Sequence, residues 1–210
     1  KIAMLKRTKG RLLLTLLVIT GLAGTLKDSS ISIKERKSSI SLMKDSKNDV
    51  LKTVKGLSDA QLNFKAGPEH WSIKECAYHI AISEKNLWDM LEDKMKAPSN
   101  SEKRSEIKMT DEQFVKIIED RSNKVKTSEA FEPKNTPYKS LNEALNDFKT
   151  RRADHIKYLK STTEDLRNHV VQLPFGWIDC YQLSLMVSAH DNRHKQQMDE
   201  VKASPNFPKK

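Results

Sequence analysis

The sequence predicts an all-α domain, a four-helix bundle with one long crossover connection, and three observations lead there. Four long segments repeat apolar residues at helical spacing. A long polar stretch separates the second of these from the third, as in bundles whose helices are not all joined by tight turns. Glycine (6) and proline (7) are scarce in 210 residues, and no segment alternates as a strand does.

The elements follow in chain order. In the first helix Ile40, Met43, Val50, Val54 and Leu57 fall at spacings of three, four or seven, with Gly56 near the stop. The second opens on "WSIKE", where Ser72 and Glu75 stand at capping-box spacing and satisfy orphaned backbone N–H groups. It continues through Ile73, Cys76, Ala77, Ile80, Leu87, Trp88 and Leu91 and stops before Pro98. The crossover holds one short helix, Thr110 to about Val125, with Thr110 and Gln113 as its capping pair, then a loop with Pro133 and Pro137. A third long helix runs from about Ser140 to Leu166, with Leu141, Leu145, Phe148, Ile156 and Leu159 in register. The fourth begins near Trp177, after Pro174 and Gly176, and reaches about Val201.

The N-terminal stretch "KIAMLKRTKGRLLLTLLVITGLAGT" reads as an address. A basic part reaches Arg11, an apolar run covers Leu12 to Thr20, and Gly21, Leu22 and Ala23 form a small-residue exit. This is the layout of a signal peptide over residues 1–23, cleaved after Ala23, and it sends the folded part to the periplasm or outside the cell. The apolar run falls short of the ~20 residues that span a bilayer, so no stable membrane insertion follows cleavage; retention as an uncleaved anchor is the other reading. Residues 24–35, rich in Ser and Lys, read as a flexible leader, 36–203 as the bundle domain, and 204–210 as a basic tail.

The net charge of +10 suggests nucleic acid at first sight, but five of those charges, Lys1, Lys6, Arg7, Lys9 and Arg11, lie in the leader peptide. The remaining basic residues interleave with acids along helix faces, and no nucleic-acid motif is present, which argues against that partner. Two cysteines in an exported chain raise a disulfide. If Cys76 and Cys180 flank one shared histidine site, they stand at different heights, about 4.5 and 15 Å of helix rise from it, and bridging needs Cα atoms within about 7 Å. Two free thiols are expected.

The chemistry concentrates in histidines. His190 and His194, in "SLMVSAHDNRHKQQMDEV", are four apart, so their Cβ atoms lie about 6 Å apart on one face. They interrupt an apolar stripe of Leu183, Met186, Val187 and Val201, and an imidazole buried there needs a hydrogen bond or a metal. Such a spacing alone is weak, since six histidines in this length produce it by chance roughly 0.17 times. His79, on the flank of the second helix's stripe, is the candidate third ligand. Three histidines with an open position resemble a catalytic zinc site more than a closed structural one. Satisfied core or surface histidines are the alternative.

"WSIKECAYHIAISE" resembles the second-helix signature of the DinB-like bundle family, and "SAHDNRHKQQMDEV" its closing H-x-x-x-H-x-x-Q signature. "SLNEALNDFKTRRADHIKYL" is similar to the third helix of the larger members, so the likeness covers roughly Ile40 to Val201. The resemblance implies a four-helix bundle, often a homodimer, holding a divalent ion, commonly zinc or nickel, at one end of an open cavity. It carries the ligand roles to His79, His190 and His194. It implies a metal-dependent enzyme of hydrolase type acting on a small molecule, or a thiol-dependent S-transferase. Export weakens the transferase reading, because low-molecular-weight thiols are kept mainly in the cytoplasm. A non-catalytic bundle that binds a metal or a small ligand remains the alternative to both, since no general base is readable.

Other residues read more plainly. Cys76 is a small buried hydrophobe, or else approaches the site. His155 is a satisfied core histidine before it is a substrate contact. His70 and His169 sit in turns. Asp191 and Arg193 flank the pair on other faces and read as solvated, with Asp191 as an imidazole-orienting partner in the alternative. Gln197, one turn past His194, is placed to bond a water or substrate. Trp88 reads as core, while Trp71 and Trp177, at helix starts, line a cavity mouth.

Overall fold

The computed structural model describes residues 31–122, 124 and 126–209. The signal-peptide segment and most of the leader lie outside them. Six helices and one hairpin follow in order: α1 Ile33–Val54, α2 Asp59–Asn63, α3 Ile73–Lys96, α4 Asp111–Glu119, α5 Leu141–Ser161, β1 Val170–Leu173, β2 Gly176–Asp179 and α6 Cys180–Lys202. No described helix is long and apolar enough to cross a membrane.

Local chemistry sets the helix starts. Ser32 with Glu35, Ser58 with Gln61, Ser72 with Glu75 and Thr110 with Gln113 each form a reciprocal capping box. Asp179 caps α6 by accepting from the Gln182 N–H at 2.8 Å. Gly56 (φ 72°) ends the α1 turn and Gly176 (φ 134°) makes the hairpin turn, both at angles an L side chain resists.

Long-range contacts fix the helix directions. Arg167 joins Glu35 near the start of α1, Asp111 at the start of α4 and Asp179 at the start of α6. At the same end Arg36 donates to the carbonyls of Leu159 and Thr162, where α5 stops. The Ala97 carbonyl, just past α3, lies 3.1 Å from His169 Nε2. Helices α1 and α6 therefore start where α3 and α5 finish, an up-down-down-up bundle. The two down helices, α3 and α5, are consecutive long helices and parallel, so the chain must travel back between them. That is the work of the crossover, and α4 makes the return along α6.

The core divides into two apolar clusters. One holds Leu87, Leu91, Phe114, Leu159 and Leu183, the other Val50, Ile73, Ile80, Phe148 and Met198. Arg152 touches both, donating to the Met43 carbonyl at 2.9 Å and lying 5.2 Å from the Phe148 ring centre.

Several expectations change. Within the stretch expected as leader, Ile31 is buried and α1 begins at Ile33, so residues before 36 already pack with the bundle. The stretch before the last helix is a four-by-four antiparallel hairpin, with Val170 opposite Asp179 and Leu173 opposite Gly176. Trp177 thus sits in a strand rather than at a helix start, with Lys103 over its ring at 5.7 Å. The crossover helix ends at Glu119, and α5 ends at Ser161 while Leu166 still reaches the core. The basic tail is docked as far as it is described. Phe207 packs edge-on to Phe64 at 5.7 Å, and Gln61 Nε2 donates to the Pro208 carbonyl at 2.9 Å.

Candidate metal centre

The antiparallel crossing of α3 and α6 brings His79, in the second turn of α3, against His190 and His194, at the middle of α6 and one turn beyond. His190 Nε2 lies 3.1 Å from His79 Nε2 and 3.2 Å from His194 Nε2. Two nitrogens that share one zinc ion at about 2.0–2.1 Å leave a gap of this size between themselves.

The outer nitrogens set the tautomers. His79 Nδ1–H donates to the Phe131 carbonyl at 2.6 Å, an oxygen that can only accept. His194 Nδ1–H donates to Gln197 Oε1 at 2.9 Å. Both rings therefore turn an Nε2 lone pair inward. His190 Nδ1 is buried with no hydrogen-bond partner. Three bare imidazoles cannot satisfy this arrangement: whichever nitrogen of His190 carries the proton, a buried polar atom is orphaned, at a cost of about 1–3 kcal/mol. A cation among the three Nε2 atoms uses all the inward lone pairs. Trp71 covers the group, its ring 4.8 Å from that of His79 and stacked at 5.8 Å on that of His194. The three histidines are the one metal-ligating group of this kind among the described residues.

Burial keeps all three rings neutral. It lowers His79 to about 4, against the opposing hydrogen bond to Phe131. His190 and His194 are held well below the ordinary histidine value, first by burial and then by their neighbours' charges. A neutral ring is the form that ligates metal.

This has a measurable consequence in the metal-free protein. The unfolded chain takes up protons near pH 6.5 while the folded chain refuses them, so folding stability is fully present above pH 6.5 and falls as the pH drops. His79 alone removes roughly 3 kcal/mol between pH 7 and 4. Asp191, pushed up to about 7 by burial, works in the opposite sense but with one proton. Urea midpoints of chelated protein are therefore expected to fall from pH 6.5 to 4.5, and a flat profile would exclude the buried neutral triad.

Other candidates fall elsewhere. Asp191 is not solvated: it is 1% exposed and turns away from the imidazoles to accept from Arg152 Nη2 at 2.6 Å and Ser46 Oγ at 3.3 Å. Arg193 reaches the carbonyls of Ile118 and Asp120 at the end of α4. Gln197 orients His194 rather than standing free for a ligand. Cys76 and Cys180 are free and buried in separate clusters, and burial pushes both thiols well up. His169 tethers the hairpin through the carbonyls of Asp165 and Ala97. Phe131 escaped the sequence reading because it acts through its backbone oxygen, which leaves no side-chain signature.

Comparison with known proteins places the chain in a family. The uncharacterized protein YuaE of Bacillus subtilis (strain 168) is 27% identical over 165 residues, covering 78% of this chain and 96% of that protein. The solved structure of YfiT from Bacillus subtilis, described as a probable metal-dependent hydrolase with an unusual four-helix bundle topology, superposes with a TM-score of 0.58. It covers 85% of this chain and 92% of its own at 13% identity, a likeness of fold. A profile of the DinB superfamily matches residues 42–198, three quarters of the chain, and the chain belongs to that superfamily.

Proposed function

We propose that the protein is an exported metal-dependent hydrolase of small molecules, with one divalent ion, zinc or nickel, held by His79, His190 and His194. The observation that carries this reading is the convergence of three Nε2 atoms, with the His79 and His194 tautomers fixed from behind by Phe131 and Gln197. The description of YfiT as a probable metal-dependent hydrolase supports the reaction class, and the layout of residues 1–23 supports export. When bound, such an ion supplies Lewis acidity and acidifies a water toward neutral pH. The chain's own part is to hold three neutral rings in place, to exclude water on the Trp71 side and to keep His79 and His194 in the Nδ1–H form. A specific observation favours a second reading, a non-catalytic binding bundle: among the described residues no carboxylate joins the three nitrogens in one compact group.

Elemental analysis of protein purified without chelator or nickel resin is expected to find about one zinc or nickel per chain, and none in the His190→Ala, His194→Ala double variant. Failure of the wild type to bind either ion on titration would overturn the site. Metal-loaded protein is then assayed against ester, amide and lactone panels. Turnover that chelation abolishes supports the hydrolase, and binding without turnover supports the second reading. Cell fractionation tests export.

A further inference from the structure

Between α4 and α5 the chain passes beside His79 as a strap. Residues 128–136 fold into two short 3-10 turns, Glu129–Phe131 and Pro133–Asn135, that lie against α3. The strap holds its own shape. The Phe131 N–H donates to the Ser128 carbonyl at 3.0 Å, the Asn135 N–H to the Glu132 carbonyl at 3.0 Å, and the Asn135 side chain to the Glu129 carbonyl at 2.9 Å. Its attachment to the bundle is thinner. Pro133 is its buried side chain. Among the described residues one hydrogen bond ties 128–136 to a helix, from His79 Nδ1–H to the Phe131 carbonyl.

That bond exists in one tautomer only. A neutral imidazole carries its proton on either nitrogen. With the proton on Nδ1, His79 donates to Phe131 and turns a lone pair toward His190 Nε2, 3.1 Å away. With the proton on Nε2, the ring donates to His190 instead, and the Nδ1 lone pair faces the Phe131 carbonyl oxygen at 2.6 Å, where two acceptors repel. A nitrogen that ligates a cation cannot also hold a proton. An ion on Nε2 therefore fixes the tautomer that holds the strap, and it makes the Nδ1–H a stronger donor.

Resting on the reading of His79, His190 and His194 as a metal site, we propose that the strap is a metal-operated latch, closed on α3 when the ion is bound and released when it is lost. The coupling runs both ways: a docked strap tightens the ion by the factor by which the ion tightens the strap. Partners behind ligating histidines are worth about 10–100-fold in metal affinity, which sets the size of that factor. The connection that returns the chain from α3 to α5 thereby reports the state of the metal site at the surface.

The test is hydrogen exchange of the full chain, read by mass spectrometry, in chelated protein and in protein saturated with zinc chloride. Bound zinc is counted in the same samples. The reference is the exposed 3-10 turn Ser101–Glu106, which opens locally as the strap does and is held to the hairpin, at the far end of the bundle, by Asn100 and Val170. Zinc is expected to slow the Phe131, Glu132, Asn135 and Thr136 amides roughly tenfold or more and to leave the reference within about twofold. In His79→Ala the strap is expected to exchange alike with and without zinc. In zinc-saturated Gln197→Ala, where the change lies behind His194, it is expected to be protected as in the wild type. Zinc bound at about one per chain with the strap unchanged, or with the reference slowed as much as the strap, would overturn the latch and leave the metal site standing. Protection by zinc that survives in His79→Ala, or is lost in zinc-saturated Gln197→Ala, would do the same. A wild-type chain that binds no zinc would overturn the metal reading, and the latch with it.

Discussion

Replacing Arg152 by methionine is expected to cost about 3–5 kcal/mol of folding stability, the largest effect of any single substitution away from the three clustered histidines. The guanidinium is fully buried. It donates to Glu84 Oε1 at 2.8 Å and Oε2 at 2.5 Å, to Asp191 Oδ2 at 2.6 Å, to Ser46 Oγ at 2.8 Å and to the Met43 carbonyl at 2.9 Å. One side chain of α5 thus ties α1, α3 and α6 together. Burial tends to raise the Glu84 carboxyl, but the Arg152 charge and hydrogen bonds outweigh it and hold Glu84 below its ordinary value. Removal of the cation leaves two carboxylates in an apolar interior, a far larger penalty than the loss of a surface pair. In a domain of this size the melting temperature is expected to fall by roughly 10 °C. The triple change Arg152→Met, Glu84→Leu, Asp191→Leu is expected to recover most of the loss, because no charge is then left unpaired. Urea unfolding of metal-free protein decides it: a single-variant loss below about 1 kcal/mol would mean that water reaches the guanidinium.

The second large effect is expected at the triad. Structural zinc sites yield about 10–16 kcal/mol from four ligands, so losing one of three imidazoles is expected to weaken zinc or nickel binding by roughly 100-fold or more. Gln197→Ala leaves every ligand in place and frees only the ring of His194, so roughly a tenfold loss is expected. His79→Ala is the informative member of the set. It supplies the ligand from α3, whereas His190 and His194 both come from α6, so an ion held by the remaining pair no longer joins two helices. Wild-type protein with the metal at a hundredfold over Kd is expected to gain about 2.7 kcal/mol, and His79→Ala to gain almost nothing at the same concentration. Competition titration and thermal melting check both numbers. Equal losses in Gln197→Ala and His79→Ala would remove the distinction between ligand and support.

How far the sequence was legible follows from which interactions are local. The capping boxes at Ser72 and Thr110 and the apolar spacing of α3 and α5 are readable because their partners lie three or four residues away. Ser32 and Glu35 carry the same signal for α1, but α1 buries Ser39 and Ser46 along with its apolar residues, which blunts its periodicity. Asp191 and Arg152 were illegible for a stronger reason. Helix α6 packs against α1, α3 and α4, so Asp191 is covered although exposed polar residues such as Gln196 and Asp199 share its helix. Arg152 meets partners 39 to 109 positions away, and pairing at that range leaves no local pattern. The histidines could be found because one spacing, four residues, is a helical period, and because the family signature supplied His79. The hairpin "VVQLPFGWID" was read as the approach to a helix, since four-residue strands are too short to establish an alternation.

Arg167 has one more consequence, for the field at its end of the bundle. Three helices begin there, and each start carries roughly half a positive charge from its aligned peptide dipoles. Glu35, Asp111 and Asp179 answer those charges from within the first turn, and Arg167 then offsets part of what the carboxylates bring. Arg104 beside Asp179 and Arg36 on the carbonyls at the end of α5 add two more cations. With the opposite half-charges where α3 and α5 finish, the whole comes within about half a charge of neutrality. A chain with a net charge of +10 thereby closes this end without recruiting counterions, and this end of the bundle should feel added salt far less than the lysine-rich helix faces do.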